Sequence, residues 1–141
     1  MKWIISVVLV LCMPISVIRF SNQSEEKTIA YKSSYMTISQ IHSVSHTPIV
    51  EYFDLGSNTI RLNRIEYKDQ GGAGMPNESN VTYNNGFVID KQVEYDQLFM
   101  ILNEENDVEI DEKKYSFNGA YELEARQITL FSYVLHRLGD L

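Results

Sequence analysis

Apolar and polar positions follow three different rhythms along the chain. Residues 3–18 form an apolar run behind Lys2. Residues 28–125 break into short segments rich in Tyr, Thr, Ile and Val, separated by Gly, Pro and Asn, which is the pattern of strands and turns. Segments 28–32, 35–42, 49–55, 59–69, 81–83, 87–91, 98–102, 108–110, 115–117 and 121–125 are the expected strands. In 49–55, Ile49, Glu51, Phe53 and Leu55 share one face, and Val50, Tyr52 and Asp54 share the other. In 59–69, Ile60 and Leu62 share a face while Ile65 and Tyr67 take the opposite parity, so a bulge is expected between 62 and 65. Asn85-Gly86 predicts a type I′ hairpin turn. The last rhythm is helical: Ile128, Phe131, Leu135 and Leu138 fall on one face, Leu130 and Val134 widen it, and Gly139 stops it. A helix docked on a sheet is expected there, with a final strand over 127–134 as the competing reading.

The pattern predicts a mainly β chain, a compact antiparallel sandwich or partly closed barrel with a short C-terminal helix, preceded by one N-terminal membrane helix. The expected division is 1–20 as membrane anchor or signal segment, 21–27 as tether and 28–141 as an extracytoplasmic β domain. Pro14, Ile15, Ile18, Arg19 and Phe20 offer no small-x-small pair for a signal peptidase, which favours an uncleaved single-pass anchor over a cleaved signal peptide. Leu11 before Cys12 does not suit a lipoprotein box. The main domain is then expected outside the cytoplasm, where the absence of any other cysteine suits an oxidising environment.

Length and charge narrow the function classes. The 141 residues fit one domain. A net charge of -7 argues against nucleic acid, whose phosphates must be neutralised by Lys and Arg. The acidic stretch containing Glu104, Glu105, Asp107, Glu109, Asp111 and Glu112 lacks the spacing and central Gly of an EF-hand and is expected to be a solvated hairpin edge.

Two segments stand apart. One is His42-Ser43-Val44-Ser45-His46-Thr47-Pro48-Ile49-Val50-Glu51-Tyr52-Phe53, and the other is Gly71-Gly72-Ala73-Gly74-Met75-Pro76. Together they resemble the uncharacterised prokaryotic family catalogued as domain of unknown function 1850. His46, and Ile49 where Val is usual, depart mildly from its pattern. Members are often encoded beside TAXI-type TRAP transporters, sodium-coupled systems for organic acids. The resemblance implies an accessory role beside such a permease or its substrate-binding protein, and no established activity.

The motif residues carry their own chemistry. A hairpin turning at 43–48 would let His42 and Glu51 meet, either as a hydrogen bond that pins the hairpin or as a ligand or proton site. His42, His46 and Glu51 could also offer two imidazoles and a carboxylate to zinc, although Pro48 argues against the helix that a four-residue His spacing would need. Ser43 beside His42 is not a nucleophile–base pair, because neighbouring strand residues face opposite ways. Segment 71–76 lacks the Lys-Ser/Thr ending of a phosphate loop; its glycines suit a tight turn or a backbone N–H nest, and Met75-Pro76 suits docking against a protein. His42, Ser43, Glu51, Gly72, Gly74, Met75 and Pro76 are therefore the candidate ligand or partner residues. The expected protein is a non-enzymatic, membrane-tethered accessory domain without metal or cofactor. The alternative is a small-ligand or metal-binding module centred on the two motifs.

Overall fold

The structure, a computed structural model, describes residues 2–41, 46–67, 81–83 and 86–139. Helix α1 (Lys2–Leu11) leads into strands β1 (Pro14–Ser21), β2 (Glu26–Ala30), β3 (Tyr35–Ile41), β4 (Pro48–Leu55), β5 (Ile60–Tyr67), β6 (Val81–Tyr83), β7 (Phe87–Tyr95), β8 (Leu98–Leu102), β9 (Asp107–Ile110), β10 (Lys113–Tyr115) and β11 (Gly119–Thr129), and helix α2 (Leu130–Gly139) ends the chain. The strands form two antiparallel sheets, one of four strands in the order β2-β1-β11-β8 and one of seven in the order β10-β9-β3-β4-β5-β7-β6. This is the sandwich form of the expected fold. The two sheets are separate, so the barrel alternative is set aside.

Alternation decides what each strand buries. Ile18 and Phe20 of β1, Met36 and Ile38 of β3, Phe53 and Leu55 of β4, and Leu123 and Ala125 of β11 meet in one core between the sheets. Phe20 stacks on Phe117 at 4.2 Å between ring centroids, and Phe117 meets Tyr121 edge-on at 5.3 Å. Such aromatic pairs contribute about 0.5–1.5 kcal/mol beyond the area they bury. The Tyr31 hydroxyl donates to the Gly56 carbonyl at 2.9 Å, so even the polar tip of a buried ring has a partner.

The expected bulge is present. Phe53 pairs with Leu62 but Tyr52 pairs with Arg64, which leaves Asn63 as the extra residue of β5. The extra residue reverses the parity of β5, so Ile65 returns to the core side. The β6–β7 hairpin also forms, but Tyr83 pairs with Phe87, so three residues separate the last pair where the expected type I′ turn would leave two. Asn84 and Asn85 of its turn lie outside the described residues.

The N-terminal run divides where one helix was expected. Only Lys2–Leu11 is helical, and Pro14–Ser21 is a strand that pairs with β11 from Pro14↔Thr129 to Ser21↔Glu122. Pro14 lacks the N–H that a continuing helix requires, and the β-branched residues that follow favour a strand. The sandwich therefore begins near residue 14 rather than 28, and part of the expected 21–27 tether is already β2. Among the described residues no helix is long and apolar enough to cross a membrane.

Helix α2 forms as expected but does not dock its stripe on the sheet. Phe131, Val134, Leu135 and Leu138, spaced for one face, are all exposed. The helix begins against the end of α1, where the Leu130 N–H donates to the Met13 carbonyl at 2.9 Å.

Deletion separates the two halves of the N-terminal run. Removing residues 1–13 should leave a cooperatively melting sandwich. Extending the deletion through Ser21 should abolish the thermal transition, because Ile18 and Phe20 alone contribute about 3–6 kcal/mol at about 1.5–3 kcal/mol per buried side chain. A cooperative melt in the longer deletion would contradict the central place of β1.

Candidate functional site

Strand β4 carries one carboxylate on its inward face. Ile49, Phe53 and Leu55 are buried on that face, and Glu51 has the same parity. Across the sheet Glu51 lies opposite Ile38 on β3 and Ile65 on β5, and the same row continues to Val108 on β9 and Ile89 on β7. Glu51 is the one carboxylate of that row, which runs on to Tyr115 on β10. Its Oε2 is buried and has no hydrogen-bond partner among the described residues. Burial pushes its pKa up, because the charged form has lost water and gained no compensating donor.

The other face of β4 is occupied differently. The Tyr52 hydroxyl donates to Glu66 at 2.7 Å, and the Arg64 guanidinium sits over the Tyr52 ring at 4.1 Å. Burial, then the hydrogen bond to Glu66, raises the Tyr52 pKa. Adjacent residues of one strand thus present a paired polar cluster outward, in which Tyr52 bonds to Glu66, and an acid with an unsatisfied oxygen inward.

Glu51 is one inward position beyond Ile49, near the rim where several strands end. Ile41 pairs with Pro48, Ile49 with Tyr67, and Tyr67 with Phe87. The strands that carry the two sequence motifs therefore reach the same end of the seven-stranded sheet. His42, Ser43, Gly72, Gly74, Met75 and Pro76 lie outside the described residues. The register gives the position directly across from Glu51 to Ile38. His46 is described; it is exposed, with φ of 54°.

Sequence reasoning missed a second carboxylate. Glu124 lies on the outer face of the four-stranded sheet, only 7% exposed. It accepts from Arg19 and from Gln97 Nε2 at 2.9 Å, and pairs with Arg126 at 2.7 Å. Burial alone would raise its pKa, but these donors outweigh it and hold the group at about 2. The alternating Glu122, Glu124 and Arg126 were visible as an outward face; the convergence of Arg19 and Gln97 was not, because they are far away in sequence. Glu124 fastens β1, β11 and the turn that leads into β8 together at the level of side chains.

The acidic stretch is also structural in part. Asp111, with φ of 51°, accepts from the Lys32 and Ser33 N–H groups at 2.6 and 2.8 Å and from the Ser33 hydroxyl, while Asp107 pairs with Lys114 at 2.7 Å. Asp111 ties the β9–β10 turn to the connection between the sheets, and Asp107 braces β9 against β10.

A family model, domain of unknown function (DUF1850), matches residues 36–118, more than half of the chain. The chain belongs to the DUF1850 family. The DUF1850 match spans β3 to β10 and so includes Glu51 and both motifs, while β1, β2 and the whole of β11 lie outside it. No curated protein and no solved structure matches the chain.

The two carboxylates should bend the pH–stability profile in opposite directions. Glu124 has a depressed pKa, so its contribution is present above about 4.5 and is lost as pH falls toward about 2. Glu51 has a raised pKa, so the folded state holds its proton more tightly. Its contribution is full below the unfolded value of 4.5 and is lost as pH rises through the raised value. Glu124→Ala should cost about 1–3 kcal/mol at neutral pH by leaving Arg19 with only its longer contact to Glu26 at 3.6 Å. Glu51→Leu should raise neutral-pH stability by about 1–3 kcal/mol and flatten the alkaline limb. Denaturant melts of the three proteins between pH 2 and 8 would check both signs.

Proposed function

We propose that this DUF1850 protein is a non-enzymatic, membrane-tethered accessory domain outside the cytoplasm, working with a TRAP-type permease or its substrate-binding protein. The observation that supports the tether is the apolar end formed by α1 and α2. Val8, Leu9 and Val10 are consecutive and all exposed, so they point around most of the α1 circumference. A helix with so wide an apolar surface, interrupted among its exposed residues by Ser6, is at home in hydrocarbon rather than in water. Beside it, α2 turns its stripe of Phe131, Val134, Leu135 and Leu138 outward.

Charge points the same way. Neither helix contains an Asp or Glu, in a chain with 19 of them, whereas Lys2, His136 and Arg137 belong to these helices. This end is suited to an anionic lipid surface that the rest of the chain would avoid. At 1.5 Å per residue, the ten residues of α1 reach about 15 Å, roughly half of the hydrocarbon core. The tether in this reading is a helix pair seated in one leaflet.

Vesicles test the tether. Full-length protein should float with phosphatidylglycerol-containing vesicles, and Leu135→Glu with Leu138→Glu should weaken partitioning by at least about tenfold without changing the strand spectrum. Unchanged partitioning of the double variant, or no flotation of the parent, overturns the reading. The transporter association has its own test. His42→Ala and Gly74→Val should lower organic-acid uptake by an adjacent TRAP system while the domain stays folded; unchanged uptake with both variants folded would remove the permease from the proposal.

Glu51 favours a second reading, a small-ligand or metal-binding module at the motif-bearing rim. A partly buried acid whose Oε2 has no donor among the described residues is poised to hold a cation or an N–H group. Calorimetric titration with zinc and with simple amines, comparing the parent with Glu51→Gln, tests it. Heat that disappears in the variant supports the module, and absence of heat in the parent removes it.

A further inference from the structure

The four-stranded sheet ends on a strand with which no further described strand pairs. Strand β8, Leu-Phe-Met-Ile-Leu, bonds to β11 along one side only and is the last strand of its sheet. Its inward residues meet the core, whereas Phe99 and Ile101 are 70% and 81% exposed on the outer face. Beside them an open groove of about 870 Å³ runs over Ala120 and Glu122 toward Asn22 and Ser24 of the β1–β2 turn. A bare edge of five apolar residues with no charge among them is what soluble proteins avoid, since it templates pairing with another chain.

The charges around β8 state what kind of chain fits. Between Lys91 and Lys113 there are eight acidic residues and no basic one, and although Glu94, Asp107 and Asp111 are engaged by Arg61, Lys114 and backbone N–H groups, the acids next to β8 are not among these. Asp96 precedes β8, Glu104 and Glu105 follow it, and Glu122 lines the groove. A second copy fits poorly. Antiparallel pairing of two β8 strands about Met100 matches the apolar residues but sets Asp96 against the copy's Glu104 at each end. Like charges so placed destabilise a pair. An incoming strand with Lys or Arg at both ends reverses the sign of both contacts.

We propose that β8 is a docking edge for an extended, apolar segment of another protein, flanked by basic residues, which adds to the sheet as a fifth strand. Backbone groups along the open side of β8 supply the ladder bonds, Phe99 and Ile101 cover the segment's outward side chains, and the acids at the strand ends select its flanks. The proposal goes beyond the membrane reading and stands without it, because β8 and the α1–α2 end share no residues.

The test uses full-length protein in a mild detergent and two synthetic peptides with the same alternating Val/Ile centre, one flanked by lysines and one by glutamates. The lysine-flanked peptide should bind, more weakly as ionic strength rises, and the glutamate-flanked one at least about tenfold less tightly. Ile101→Lys changes a side chain that packs on little and should leave the fold intact by circular dichroism. It should weaken lysine-flanked binding by at least about tenfold. Equal binding of the two peptides, no binding of either, or undiminished binding by a folded Ile101→Lys variant overturns the proposal. Sedimentation supplies the remaining arm: a dimer of the parent that Ile101→Lys dissociates would assign the edge to a second copy instead.

Discussion

Pairing between the two ends of the chain holds the sandwich together. Strand β1 and strand β11 lie side by side in the middle of the smaller sheet, matched from Pro14↔Thr129 to Ser21↔Glu122. Each also carries an outer strand, β2 on one side and β8 on the other. The inward residues of the pair, Ile18, Phe20, Leu123 and Ala125, form one wall of the core. Without this pairing the larger sheet would keep its meander from β3 to β7 but expose its apolar face. The ladder is long-range, so its loop-closure cost is met only when the core it covers is buried at the same time.

Two carboxylates show how the same chemical group acquires opposite properties. Glu124 is nearly enclosed but surrounded by donors, so it stays charged and locks β1, β11 and the turn before β8 at their side chains. Glu51 sits in a row of Ile and Val without a described donor for Oε2, so the proton is favoured. The first acts as structure. The second is a group that burial alone leaves unsatisfied, which is why it, and not the larger acidic stretch, marks the candidate site. Asp107 and Asp111 already have cationic or N–H partners that account for their positions.

Exposed apolar surface is concentrated in two places of different character. At the helical end it is round and accompanied by basic residues. Along β8 it is linear, tied to an unpaired backbone edge and accompanied by acids. A lipid surface offers no strand to pair with, and a strand cannot enclose a helix on all sides. The two surfaces therefore call for different neighbours.

Local patterns in the sequence determined much of this architecture. Alternation in 49–55 put Glu51 on the face of Phe53 and Leu55, the parity change after Leu62 located the bulge, and the 98–102 segment is β8 as printed in the sequence. The motif residues determined the family. Partnership between distant segments was decided only by the tertiary structure. An apolar run at residues 3–18 has the same composition whether it enters a bilayer or fills a sheet, and the vacancy beside β11 is what makes Pro14–Ser21 a strand. The stripe on α2 likewise shows a face that must be covered without naming the cover. Glu51 was legible as a motif residue, but its isolation was not, because Ile38 and Ile65 come from other strands and only register sets them on either side of it. Periodicity is a property of neighbours along the chain, whereas the solvation of a charge depends on neighbours across space.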